Sequence, residues 1–170
     1  LIPSGQVLDA SAGFVAPAGS VIQVAQGFKT DTFSTASTTF LDVSGLSVTL
    51  TPTSSSSKFL IMANVTYLHT FYVGHIKLMR NSTEIGAADT AGSRPTYFLS
   101  YSNNINAQTD GPWMREGMDF LDSPNTTSAV TYKLQASSRR DGQGGTFYIN
   151  RTFPDRDTSG YDARGVSSIV

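Results

Sequence analysis

The chain is predicted to be all-β, an antiparallel β-sandwich or jelly roll of about ten short strands. Three observations predict it. Short runs rich in β-branched and aromatic residues recur from end to end, clusters of Gly, Pro, Asn and Ser bound them, and an apolar period of 3.6 is scarcely seen.

Residues 1–19 carry Pro3, Gly5, Gly13, Pro17 and Gly19. They are expected to form an extended arm or linker ahead of a β-sandwich domain over 20–170. Val21-Ile22-Gln23-Val24-Ala25-Gln26 is the first strand candidate, followed by 38–43 and by Leu46-Ser47-Val48-Thr49-Leu50-Thr51, with Ser44-Gly45 between the last two. The run from Leu46 alternates apolar and hydroxyl residues, so one face should be buried and the other wet. Pro52 and the serines 54–57 end it.

Residues 59–68 are the most apolar segment and should form a central strand, covered on both faces or lying at an interface. The alternating run His75-Ile76-Lys77-Leu78-Met79-Arg80 comes next, then Asn81-Ser82 as a tight turn, because Asn tolerates positive φ. Later candidates are 96–101, 117–121, 129–136, 146–150 and 167–170, with a polar loop over 102–112. Arg139-Arg140 and the Gly-rich stretch 141–145 lack the Lys-Ser/Thr ending of a phosphate loop and are expected to make a β-hairpin turn.

Composition narrows the function. Charged residues make up 15% of the 170 residues, below the ~25% of an average domain, while about a quarter are Ser or Thr. Twelve Lys and Arg against 13 Asp and Glu leave a net charge of −1. No summed field is present to hold nucleic acid or an anionic membrane. No apolar stretch reaches the ~18 residues that a membrane span needs. With no cysteine, disulfides, thiolate metal sites and Cys nucleophiles are excluded together. The chain begins at Leu1 without Met, which reads as a processed product or a fragment.

Several segments in order resemble a family of bacteriophage virion proteins, tail-fibre or minor structural proteins of marine and cyanobacterial phages. They are Gly19-Ser20-Val21-Ile22-Gln23-Val24, the run 38–48, Ser56-Ser57-Lys58-Phe59-Leu60-Ile61, Ile76-Lys77-Leu78-Met79-Arg80, Gly92-Ser93-Arg94, Phe120-Leu121-Asp122-Ser123-Pro124, Thr131-Tyr132-Lys133-Leu134-Gln135 and Tyr148-Ile149-Asn150-Arg151. The resemblance spans roughly 19–169. It implies a virion location and a non-enzymatic module, a homotrimer that contacts other virion proteins or a host surface glycan, with no cofactor. In the family the last strand runs a few residues beyond the counterpart of Ser168-Ile169, so this chain is expected to stop early.

Tyr97, Phe98 and Tyr101 precede the polar loop and Trp113 follows it, with Asn103, Asn104, Asn106, Gln108 and Asp110 between. Aromatic faces beside amides and carboxylates suit sugar recognition, so Tyr97, Tyr101, Asn103, Asn104, Asp110 and Trp113 form the candidate ligand set. His69 and His75 bracket a strand connection, without a third ligand nearby in sequence to complete a metal site. Asp155-Arg156-Asp157-Thr158-Ser159-Gly160 opens like a calcium loop, but Val166 stands where an EF-hand needs a bidentate Glu, and pairing with Arg151, Arg156 or Arg164 is expected instead. Sequons at Asn64, Asn81, Asn125 and Asn150 follow from the abundance of Ser and Thr. Asp119 and Asp122, three apart on a strand, should face opposite ways, which argues against a glycosidase pair. Neither a catalytic residue nor a metal ligand is assigned. The expected function is a host-contacting appendage or, alternatively, a capsid or tail decoration protein whose N-terminal arm clasps a neighbour, ahead of a depolymerase.

Overall fold

Strand formation follows the β-branched runs. The computed structural model describes residue 17 and residues 19–70, 72–103, 113–138, 145–160 and 162–170, with the backbone only for 72 and 101–103. The described residues form β1 (Gly27–Lys29), β2 (Phe33–Thr35), β3 (Leu41–Leu50), β4 (Phe59–His69), β5 (Tyr72–Arg80), β6 (Thr83–Ile85), β7 (Leu99–Asn103), β8 (Met114–Asp122), β9 (Val130–Ser138), β10 (Phe147–Ile149) and β11 (Ser167–Ile169), with no helix among them.

These strands make two antiparallel sheets, and the molecule is a β-sandwich. In the first, β4 is flanked by β8 on one side and by β11 and β10 on the other, with β1 beyond β11 and β2 beyond β10. In the second, the order is β3-β9-β5-β6, with β7 also paired to β5. The apolar run at 59–68 therefore is the central strand of its sheet. Leu46 and Val48 are buried while Ser47 and Thr49 are exposed, as the alternation predicts.

The core lies between the sheets. Ile61, Val65 and Tyr67 from β4 meet Ile76 and Leu78 from β5, Tyr132 and Leu134 from β9, and Phe147 and Ile149 from β10. The Tyr67 and Phe147 rings stack with centroids 5.4 Å apart.

Four expectations are corrected. Residues 21–26 make no strand; Val21, Ile22 and Val24 are exposed, and pairing starts at Gly27. The candidates at 38–43 and 46–51 join into the single strand β3, because a register shift between Asp42 and Ser47, with Gly45 at φ 84°, lets the chain bulge without ending the ladder. The short strands β2 and β6 went unread, since three residues carry too little period to register. The segment 139–144 lies outside the described residues; its flanks β9 and β10 belong to different sheets and do not pair with each other as the strands of a hairpin would. The Asn81-Ser82 turn is present between β5 and β6, with Asn81 at φ 54°. Most of the arm 1–19 lies outside the described residues.

Candidate ligand-binding groove

The two outer faces of the sandwich differ in chemistry. On the second sheet, Lys133 and Gln135 both donate to Asp42 at 2.7 Å, and the Thr49 and Thr131 hydroxyls lie 2.8 Å apart. That face is a polar ladder. On the first sheet Leu60 pairs with Leu121, Met62 exchanges backbone hydrogen bonds with Val170, and Phe28 pairs with Ser168, which in turn pairs with Asn64. Leu60, Leu121, Phe28 and Met62 are 54%, 56%, 56% and 43% exposed on that shared face. Asp119 is the one charged residue among these paired positions.

At the opposite end of the same face lies a groove. Residues of β8 alternate, so Met114, Met118 and Phe120 pack towards the core while Arg115 turns outward beside Trp113. The returning chain before β11 forms the other wall. It is pinned there because the Thr66 hydroxyl donates to the Val166 carbonyl at 2.9 Å, the Ser167 hydroxyl accepts from the Thr66 amide at 3.0 Å, and the Gly165 amide donates to the Asn150 carbonyl at 3.1 Å. A Cβ at Gly165 would lie 2.6 Å from the Thr66 methyl and 2.8 Å from the Trp113 ring, so only glycine lets the indole close against the backbone. The result is an open cavity of about 410 Å³ between Trp113, Arg115, Thr66, Arg164 and Gly165. This size falls within the ~300–1,000 Å³ of small-ligand sites.

Trp113 is 37% exposed, showing part of its ring to solvent. Arg164 is fixed by a two-pronged pair with Asp155. Hydrogen bonding from Arg164 holds the Asp155 carboxyl below the ordinary aspartate range, and Asp155, then Asp157 and Asp162, push the Arg164 guanidinium up. Arg151 also approaches Asp155, at 3.6 Å, and lies over the Tyr148 ring, 4.6 Å from its centroid. Arg115 has neither a hydrogen bond nor an ion pair with a described residue.

Of the six residues nominated from sequence, the side chains of Tyr97 and Trp113 are described, and these two lie apart. Tyr97 packs on the outer face of the second sheet, its ring centroid 4.0 Å from His75 and 5.4 Å from Phe40, with the Lys77 ammonium 4.4 Å from Phe40 and paired to Glu84 at 2.6 Å. Trp113 lies on the outer face of the first sheet. The reason is topological: β7 and β8, on either side of the polar loop, belong to different sheets. Tyr101 and Asn103 lie in β7, where their backbones pair with Gly74 and Tyr72, and their side chains are outside the description. Asn104 and Asp110 fall outside the described residues. Arg115, Arg164 and Gly165 were not read as site residues. The spacing of Trp113 and Arg115 already put both on one face, whereas Arg164-Gly165 reaches them only through the pairing of β11 with β4.

The other candidates resolve as structure. His69 points into the core, where its Nε2 lies 2.9 Å from the Ser138 hydroxyl, while His75 faces outward with Nδ1 3.1 Å from Ser100, so the two do not converge. Among the described residues no three His, Asp or Glu side chains are arranged to hold a metal ion. In the calcium-like loop Asp155 is taken by Arg164, and Asp162 accepts the backbone N–H groups of Arg156 and Thr158 at 3.0 and 3.1 Å. Asp119 is exposed while Asp122 is buried facing Arg80 and Tyr132, on opposite faces of β8 as their spacing predicts. Asn150 is fully buried with φ 62°, so the sequon there is inaccessible. No protein-family model and no curated protein matches the chain.

Proposed function

We propose that this chain is a non-enzymatic structural module of a bacteriophage virion, a tail-fibre or appendage domain that assembles as a homotrimer and contacts a host surface polysaccharide. The observation that carries the reading is the bare apolar half of the first sheet: Leu60, Met62, Leu121 and Phe28 together on one face. Large apolar residues exposed together on one sheet face mark an interaction site, whereas ones scattered singly do not. The opposite sheet, with its ladder of hydrogen-bonded charges and hydroxyls, provides the contrast. The ordered resemblance of segments across 19–169 supplies the phage context, and the groove beside Trp113 supplies a place for a ligand.

A second reading, a purely structural decoration or attachment protein, is favoured by the segment before β1. There Val21, Ile22 and Val24 are 81%, 59% and 70% exposed, an apolar strip suited to clasping a neighbour.

Light scattering tests assembly against the 18.2 kDa monomer mass. A mass near three times that value, lost in a Leu60→Asp, Leu121→Asp variant that keeps its melting temperature, is the expected result. A wild-type monomer unaltered by the double substitution overturns the assembly reading. Adsorption to bacterial cells and to their extracted polysaccharide separates the two readings: binding favours the appendage, and assembly without binding favours the decoration protein. Release of reducing sugar ends overturns the non-enzymatic assignment.

A further inference from the structure

We infer that the groove between Trp113 and Arg164 binds an anionic saccharide, a sugar bearing a carboxylate or sulfate ester; this rests on the host-contact reading and names its ligand class. Four observations carry it. Arg115 lines the groove as an exposed cation without a described partner, so its charge is not offset within the site. Arg164 spends two N–H groups on Asp155, and a guanidinium has five, so three remain for a ligand that this pair has oriented in advance. The Trp113 ring, closed against Gly165 along one edge and 37% exposed elsewhere, offers an apolar surface for the C–H face of a sugar. The cavity of about 410 Å³ is open along the surface, as an internal stretch of polymer requires.

Competing ligands fit less well. A neutral sugar can accept hydrogen bonds from Arg115 but leaves its charge uncompensated, and a nucleic acid needs a field that a chain of net charge −1 does not supply. The site is also compatible with assembly. Arg115 and Leu121 are six residues apart on β8, about 20 Å, so a neighbour covering the apolar half leaves the groove open.

Trp113 is the single tryptophan of the chain, so its fluorescence reports on this groove alone. The protein is titrated at constant ionic strength with oligosaccharides of alginate and of polygalacturonate, with dextran sulfate, and with neutral dextran. A saturable change with one or more of the anionic probes and none with dextran is expected, with the carboxylated and sulfated arms identifying the group preferred. Arg115→Gln should weaken binding by about tenfold or more, and Trp113→Ala, followed by calorimetry, by a similar factor. Arg115 is exposed, so Arg115→Gln should keep the wild-type melting temperature, whereas Trp113→Ala also removes the packing on Gly165 and is compared only after its folding is verified by circular dichroism. The inference is overturned if none of the anionic probes saturates at millimolar concentration, if dextran binds equally, or if Arg115→Gln binds like wild type. Cell adsorption then separates the two ideas. Adsorption that survives Arg115→Gln leaves host contact standing and refutes the groove as its site; saturable oligosaccharide binding without any adsorption leaves the groove standing and refutes host contact.

Discussion

Asp122 couples the two sheets, and breaking that link gives the sharpest test of the fold. Its carboxylate, 8% exposed, accepts two hydrogen bonds from Arg80 at 2.8 and 3.0 Å and one from the Tyr132 hydroxyl at 2.7 Å. Three strands from both layers thus meet at one side chain. Burial, then the hydrogen bond to Asp122 and its negative charge, push the Tyr132 phenol above its ordinary range, so it remains a donor throughout the accessible pH range. In Asp122→Ala the Arg80 head, 29% exposed, regains water, but the phenol of Tyr132, 1% exposed, does not. A stranded buried donor costs ~1–3 kcal/mol, and with the lost charged hydrogen bonds the total should be about 3 kcal/mol. Tyr132→Phe alone removes one bond to a charged acceptor, about 1.5 kcal/mol. In the Phe background the stranded phenol is gone, so Asp122→Ala should there cost only about 1.5 kcal/mol, a coupling of about 1.5 kcal/mol. Urea unfolding of the four proteins at one concentration reads this out as midpoints at constant m. Strictly additive losses would refute the claim that Asp122 and Tyr132 act as one unit.

The remaining predictions concern other parts of the molecule. Asn150 donates to the Lys29 and Asp31 carbonyls at 2.9 and 3.0 Å and accepts from the Ser167 hydroxyl at 2.7 Å, so Asn150→Ala should destabilise by about 3 kcal/mol in urea and raise amide exchange across β1 and β11. Leu134→Ala, at a position with no exposure, should cost ~2–5 kcal/mol, whereas Thr49→Ala on the wet face should stay within about 0.5 kcal/mol, both by the same unfolding assay. Hydrogen bonds from Arg164 to Asp155 and from Lys133 to Asp42 lower both carboxyl pKa values, so carbon-13 titrations should show midpoints below the ordinary ~3.9. Depressed folded values mean that the stability these pairs add is complete above the unfolded pKa and is lost as pH falls through the folded one. Titration at or above the ordinary value would show that the pairs do not form in solution.

Much of the sandwich was legible in the chain because its strands obey a period of 2 over enough residues to be read. Residues 59–68 were recognisable as central, Leu46 and Val48 as buried, Asn81 as the positive-φ turn, and Asp119 and Asp122 as facing apart, all from local pattern. Strands of three residues escaped, and residues 21–26 misled, since a β-branched run states a propensity that only a pairing partner realises. Composition by itself excluded thiol chemistry and a nucleic-acid field. Tertiary structure alone decided which faces those strands present and to what. It separated Tyr97 from Trp113 by placing the flanks of one loop in different sheets, and through the pairing of β11 with β4 it set Arg164 and Gly165 against Trp113, about fifty positions earlier in the chain. It also distinguished the polar outer face from the apolar one. Alternation along a strand is a local property that backbone geometry enforces, while a site on a sandwich is assembled across strands, and its members share neither period nor proximity in the chain.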